Sequence, residues 1–243
     1  MLCLFDLDGT LIDSEQGITA CVKHALARLD VPAPAHEELR HWIGPPLRHS
    51  FAPLLDHDAG RIEAAVEYYH ERFNTHGWRE HVIYPGIASL IERLLGAGHR
   101  LAVVTSKPHR HAAPIIDHLP FGNAFARLYG PQPDSAHSEK ASMIAAALAD
   151  FDCEPDDAVM IGDRHFDIHG AVVNRVRGLG VLWGFGSREE LEQAGAHAIA
   201  ATPDELATLL EVPPPVAQGG HCPPSLVSTD GQGMVAGSAR PTH

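Results

Sequence analysis

Residues 2–7, LCLFDL, make an apolar run of strand length interrupted only at Asp6, and the DGT that follows places a glycine and a polar residue where a chain turns sharply. A short buried strand with two carboxylates, Asp6 and Asp8, at its C-terminal edge is predicted. From Gly17 to Leu29 the pattern changes, with Ile18, Val22, Ala25, Leu26 and Leu29 at helical spacing. Further helical stretches are predicted over 37–42 and 62–73, so residues 14–82 read as all-helical. IYPGI at 83–87 resets the chain before Ile87, Leu90, Ile91, Leu94 and Leu95 resume a helical period that ends at Gly96 and Gly98.

Three more apolar runs of strand length follow, LAVVTS at 101–106, AVMIGD at 158–163 and GLGVLWG at 178–184, with helical segments between them. Strands alternating with helices predict a Rossmann-like parallel sheet of the α/β class. The helical block interrupts this alternation directly after the first strand and is read as an inserted cap. The expected organisation is an α/β core over 1–13 and 84–212, a helical cap over 14–83, and a disordered tail over 213–243, where Pro, Gly and Ser replace apolar periodicity.

Bulk properties narrow the function. The chain has 243 residues and a formal charge of −13, with no basic stripe to track a phosphate backbone, so nucleic acids and anionic membranes are not expected as partners. Cys3, Cys21, Cys153 and Cys222 lack CxxC spacing, which argues against a zinc ribbon or a disulfide framework and for a reducing cytoplasm. No run approaches the roughly 18 apolar residues that span a bilayer. Oligomeric state is not legible in the sequence.

Ligands of open α/β sheets bind outside the carboxyl ends of the strands, and here three such ends carry polar chemistry: DLDGT, VVTSK and IGDRHFD. They would gather Asp6, Asp8, Thr105, Ser106, Asp163 and Asp167, with a lysine from Lys140 or Lys107. Two carboxylates as close as Asp6 and Asp8 repel unless a cation offsets them, and hard oxygen ligands favour Mg²⁺.

DxDGT at 6–10, a strand ending in Thr105, Lys140 in SEKASMIAAAL and GDRHFD at 162–167 together resemble the haloacid dehalogenase (HAD) superfamily, and the helical insertion is similar to its type-1 cap. The resemblance implies that Asp6 is a nucleophile forming an aspartyl phosphate and that Asp8 is the general acid and base. It further implies that Asp6, Asp163 and the backbone carbonyl of Asp8 hold Mg²⁺ with Asp167 in support, and that Thr105 and Lys140 bind the phosphoryl group. An Asp at the second position of DxD argues against dehalogenation. The wider pattern resembles the phosphoglycolate phosphatase and 5′-nucleotidase subgroup. A phosphosugar or phosphotyrosine phosphatase, a phosphomutase and a silent phosphate sensor are the alternatives.

Plainer readings exist for several residues. Asp6 and Asp8 could cap a turn or helix, Thr105 and Ser106 could cap the next helix, and Lys140 could be a solvated lysine opening one. His165 and His169, four apart, are expected as exposed residues of one helix face rather than metal ligands. Gly44, Pro45 and Arg48 could line a substrate site in the cap or form an ordinary interhelical turn. Glu15 could contact substrate or merely start a helix, and Trp183 and Phe185 are expected as packing and loop residues.

Overall fold

The computed structural model describes residues 1–132 and 139–211. The predicted tail over 213–243 lies outside them. Six parallel strands form one sheet in the order β5-β4-β1-β6-β7-β8: β1 Leu2–Phe5, β4 Arg100–Val104, β5 Phe125–Tyr129, β6 Ala158–Gly162, β7 Arg177–Val181 and β8 Ala198–Ala200. The strand that carries Asp6 is central, flanked by β4 through Phe5↔Val103 and by β6 through Phe5↔Ile161. All four residues of β1 and all five of β6 are buried, which accounts for their continuous apolar sequence.

The remaining strands, β2 Ile12–Asp13 and β3 Val82–Ile83, pair antiparallel as Ile12↔Ile83 and Asp13↔Val82. This ribbon closes the base of the helical block: α1 Glu15–Arg28, α2 His36–Arg40, α3 Leu47–Phe51 and α4 Ala59–Thr75. Helix α1 packs along α4, and its buried stripe of Ile18, Val22, Ala25 and Leu26 is the one read from the sequence. It starts two residues before Gly17, which lets the helix approach the Gly77 and Glu80 carbonyls too closely for any side chain there. The reading of 14–82 as wholly helical needs one correction, because Val82 has already entered the ribbon.

After the block the chain alternates as predicted, through α5 Ile87–Gly96, α6 His109–His118, α7 Lys140–Asp150, α8 His165–Val173, α9 Arg188–Gln193 and α10 Pro203–Leu209. Strands β5 and β8 are additions to the sequence reading. They are the sheet edges, and β5 exposes Ala126 and Arg127, so neither shows the apolar run of a strand covered on both faces. The third predicted run was set at 178–184, but β7 ends at Val181 and Trp183 belongs to the loop beyond it. Among the described residues, no helix is long and apolar enough to cross a membrane.

Candidate active site

The adjacent ends of β4, β1 and β6 bring the predicted chemistry together. Asp6 follows β1 directly, Thr105 follows β4, and Asp163 follows β6; all three are buried, as is Asp167 in the first turn of α8. Lys140, the first residue of α7, is buried rather than solvated. Its ammonium donates to Asp6 Oδ1 at 2.9 Å and to the Val104 carbonyl at 3.0 Å, and it forms an ion pair with Asp167 Oδ1 at 2.7 Å. Lys107 goes elsewhere, pairing its Nζ with Asp8 Oδ2 at 2.6 Å and lying 5.2 Å from the ring centre of Phe73. The two lysines that competed in the sequence therefore serve different carboxylates.

The capping readings do not describe these residues. Helix α1 is preceded by Ser14, and α6 by Pro108, with no side-chain cap at either. Thr105 Oγ1 instead accepts the Lys107 backbone N–H at 3.2 Å. Asp163 is fixed by two residues that the sequence reading did not place in the site: Thr10 Oγ1 donates to its Oδ1 at 3.3 Å, and the Phe185 N–H donates to its Oδ2 at 2.8 Å. The Trp183 indole N–H in turn holds the Thr10 carbonyl at 3.0 Å. Thr10 sits within DGT itself, the one sequence signal for it. Gly9, at φ +85°, packs so tightly on the Asp163 carboxylate that a Cβ would run into it.

Burial shapes the electrostatics. It pushes the Asp6 carboxyl up to about 6, with the Lys140 ammonium pulling it back. Asp163 is held well above the usual carboxylate range by burial and by the neighbouring Asp167 and Asp6. Burial alone would depress Lys140, but Asp167 and Asp6 outweigh it and hold the ammonium above the ordinary lysine range. Asp6, Asp163 and Asp167 each offer an oxygen, all within 4.8 Å of one another. Three buried carboxylates against the one ammonium of Lys140 fit a cation with hard oxygen ligands.

A cavity of about 1020 Å³ opens over these strand ends, reaching Asp6, Asp8, Thr105, Ser106 and Lys140 on one side and the helical block on the other. Gly44, Pro45 and Arg48 line it, although Arg48 is engaged by both oxygens of Glu63, at 2.6 and 2.8 Å. Glu15 does not line it, being tied to His36 at 2.8 Å and Arg40 at 3.2 Å between α1 and α2. An aromatic wall crosses from α4 to α6: Tyr69 stacks on Phe73 at 5.8 Å, Phe73 meets His111 at 5.1 Å, and His70 meets His111 at 4.6 Å. No sequence signal marks this wall, since its members lie on separate helices. His169 is exposed, as expected, but His165 is half-buried, with its Nδ1 2.6 Å from Glu190 Oε1. The expectation of two exposed histidines is corrected on that point.

The sequence profile of haloacid dehalogenase-like hydrolases matches residues 3–181. The chain belongs to that family. Among HAD relatives, a 5′-nucleotidase of Pseudomonas aeruginosa is 41% identical over 209 residues, covering 86% of this chain and 93% of that protein. The tyrosine-protein kinase PtkA of Mycobacterium tuberculosis is 34% identical, covering 87% of this chain and 72% of its own, and phosphoglycolate phosphatase 1 of P. aeruginosa is 31% identical, covering 76% and 70%. The crystal structure of a predicted phosphatase from Clostridium acetobutylicum superposes with a TM-score of 0.80 at 39% identity, covering 87% of this chain and 98% of that one. The parallel sheet is thus that of a HAD hydrolase.

Proposed function

We propose that this hydrolase cleaves a small phosphomonoester through an aspartyl phosphate on Asp6. The observation that supports it is the pairing of each DxD carboxylate with its own lysine at the mouth of one cavity, Asp6 with Lys140 and Asp8 with Lys107. Asp6 attacks phosphorus and the leaving oxygen departs with a proton from Asp8; Asp8 then takes a proton from the water that opens the aspartyl phosphate. Lys140 offsets the charge of Asp6, which a phosphate dianion would otherwise avoid, and Thr105 and Ser106 line the cavity with hydroxyls that can donate to the phosphoryl oxygens. Asp6, Asp163, Asp167 and the Asp8 carbonyl are the residues that would hold Mg²⁺, which when bound supplies positive charge to the phosphoryl oxygens. Residues 14–83 act as a cap, hinged at the β2–β3 ribbon, that keeps bulk water from the site.

The relatives' names offer phosphoglycolate and nucleoside monophosphates as substrates, and the cavity favours the second. At about 1020 Å³ it is far larger than a two-carbon acid needs, and Tyr69, Phe73, His70 and His111 give it a wall of rings. Two arginines line the cavity: Arg48 is paired with Glu63, and Arg110 donates its Nε to His111 Nε2 at 3.3 Å within the ring wall.

Phosphate release from a panel of phosphoglycolate, nucleoside monophosphates, a hexose phosphate and phosphotyrosine, with Mg²⁺ and with EDTA, tests both levels. Asp6→Asn should abolish release, by at least roughly 10³-fold. Nucleoside monophosphates should lead the panel. Isomerised phosphosugar in place of free phosphate would mean a mutase, and binding without turnover a sensor.

A further inference from the structure

We propose that Arg164 is a positioning residue that fastens the cavity-lining loop of the helical block to the loop carrying Asp163 and Asp167. The proposal rests on the reading of residues 14–83 as a cap over a phosphomonoesterase site. Arg164 Nη1 donates to the Ile43 carbonyl at 2.7 Å, across 121 positions of sequence, while its Nε donates to Glu190 Oε1 at 2.9 Å. Its own backbone N–H donates to Asp167 Oδ2 at 3.1 Å. One residue thus touches the acidic cluster with its main chain and the block with its side chain. The planar guanidinium suits this task, because Nε and Nη1 present hydrogens to two acceptors in fixed relative directions.

Both anchors are rigid. Glu190 also accepts the backbone N–H of His165 at 2.9 Å, besides its contact with the His165 ring at 2.6 Å, so its carboxylate cannot follow a wandering arginine. On the other side, Ile43 is buried and the neighbouring Trp42 packs edge-on against Phe51 at 5.1 Å, which fixes the direction of the Ile43 carbonyl within the block. Gly44 follows at φ +106°, in the left-handed region that favours glycine, and a Cβ there would lie 3.4 Å from Arg164 Nη1, at ordinary contact distance. Pro45 and Pro46 follow and line the cavity, so whatever holds residue 43 sets the distance of this wall from Asp6. Because the acceptor is a main-chain carbonyl, truncating a side chain of the loop leaves it in place, whereas removing the Arg164 guanidinium removes the contact.

Hydrogen exchange of the full-length protein, read over residues 41–48 and over 165–173, tests the proposal together with steady-state kinetics. Arg164→Gln should speed exchange about tenfold over 41–48 and leave 165–173 unchanged. It should also raise KM about tenfold with kcat within about threefold of wild type, since substrate and transition state lose the same wall. Arg164→Lys, which keeps the charge but not the fork, should recover part of both effects. Glu190→Gln leaves Arg164 in place without its ionic brace and should give the same changes on a smaller scale, a second route if Arg164→Gln does not fold. Unchanged exchange over 41–48, faster exchange throughout the chain in both arginine variants, or a fall in kcat at constant KM would overturn the proposal. Exchange needs no substrate, so a wild-type protein that hydrolyses nothing on the panel would refute the phosphatase reading while exchange still decides the role of Arg164.

Discussion

Lys107 and Lys140 illustrate how much a single side chain's destination matters. Lys107 directly follows a polar strand end in the sequence and Lys140 opens a helix far from any, yet one reaches Asp8 and the other bridges Asp6 and Asp167. Lys140→Met should therefore lower kcat by roughly 10²–10³-fold, the range for losing a charged donor to the reacting group. Lys107→Met should cost about 10²-fold by freeing the Asp8 carboxylate to misplace itself, with binding of the phosphoryl group itself little changed. Kinetics of phosphate release on the two variants distinguishes them. The sequence could name Asp6, Asp8, Thr105, Asp163 and Asp167 because each lies within a few residues of an apolar run. It could not name the Phe185 amide, because a main-chain donor leaves no trace in residue type.

At the scale of elements, legibility followed burial. β1, β4 and β6 are plain because burial forces an apolar run on them, whereas the edge strands β5 and β8 carry polar or half-exposed positions and show no such run. Helix α9 is short and acidic in its first turn, and its start is fixed by Ser187 Oγ, which accepts the Glu190 N–H at 3.1 Å. Ser187→Ala should cost about 1 kcal/mol of stability in denaturant unfolding, the usual value of an N-cap. Since that helix carries Glu190, the same variant should also loosen the grip of Arg164 on the helical block. The ribbon of β2 and β3 escaped the sequence reading altogether, because two-residue strands 70 positions apart have no period to detect.

Two properties belong to the whole molecule. The block and the sheet domain meet at His70 on α4 and His111 on α6, and burial lowers His70 to about 4 and His111 to about 3. In the unfolded chain both would titrate near 6.5, so between there and the folded values the unfolded state binds more protons. Their contribution to stability is complete above about pH 6.5 and declines as pH falls toward 4 and then 3. Thermal unfolding followed from pH 7 to pH 4 should show a falling Tm, less steeply in His111→Gln. The acidic cluster gives the second prediction. A Mg²⁺ concentration 100 times its Kd at pH 8 should stabilise the fold there by about 2.7 kcal/mol in thermal unfolding, and the same concentration should stabilise it less at pH 5, because the raised carboxyls of Asp6 and Asp163 must give up protons to hold a cation. By itself the sequence determined the α/β class, the inserted helices and the carboxylates at strand ends, since these follow from local periodicity and from where an apolar run stops. Only the tertiary structure decided which lysine meets which aspartate, that Thr10 and the 183–185 loop hold Asp163, and that rings from α4 and α6 form one wall. Those contacts join residues up to 173 positions apart, and the packing of one element on another creates them, a property that no local stretch of sequence carries.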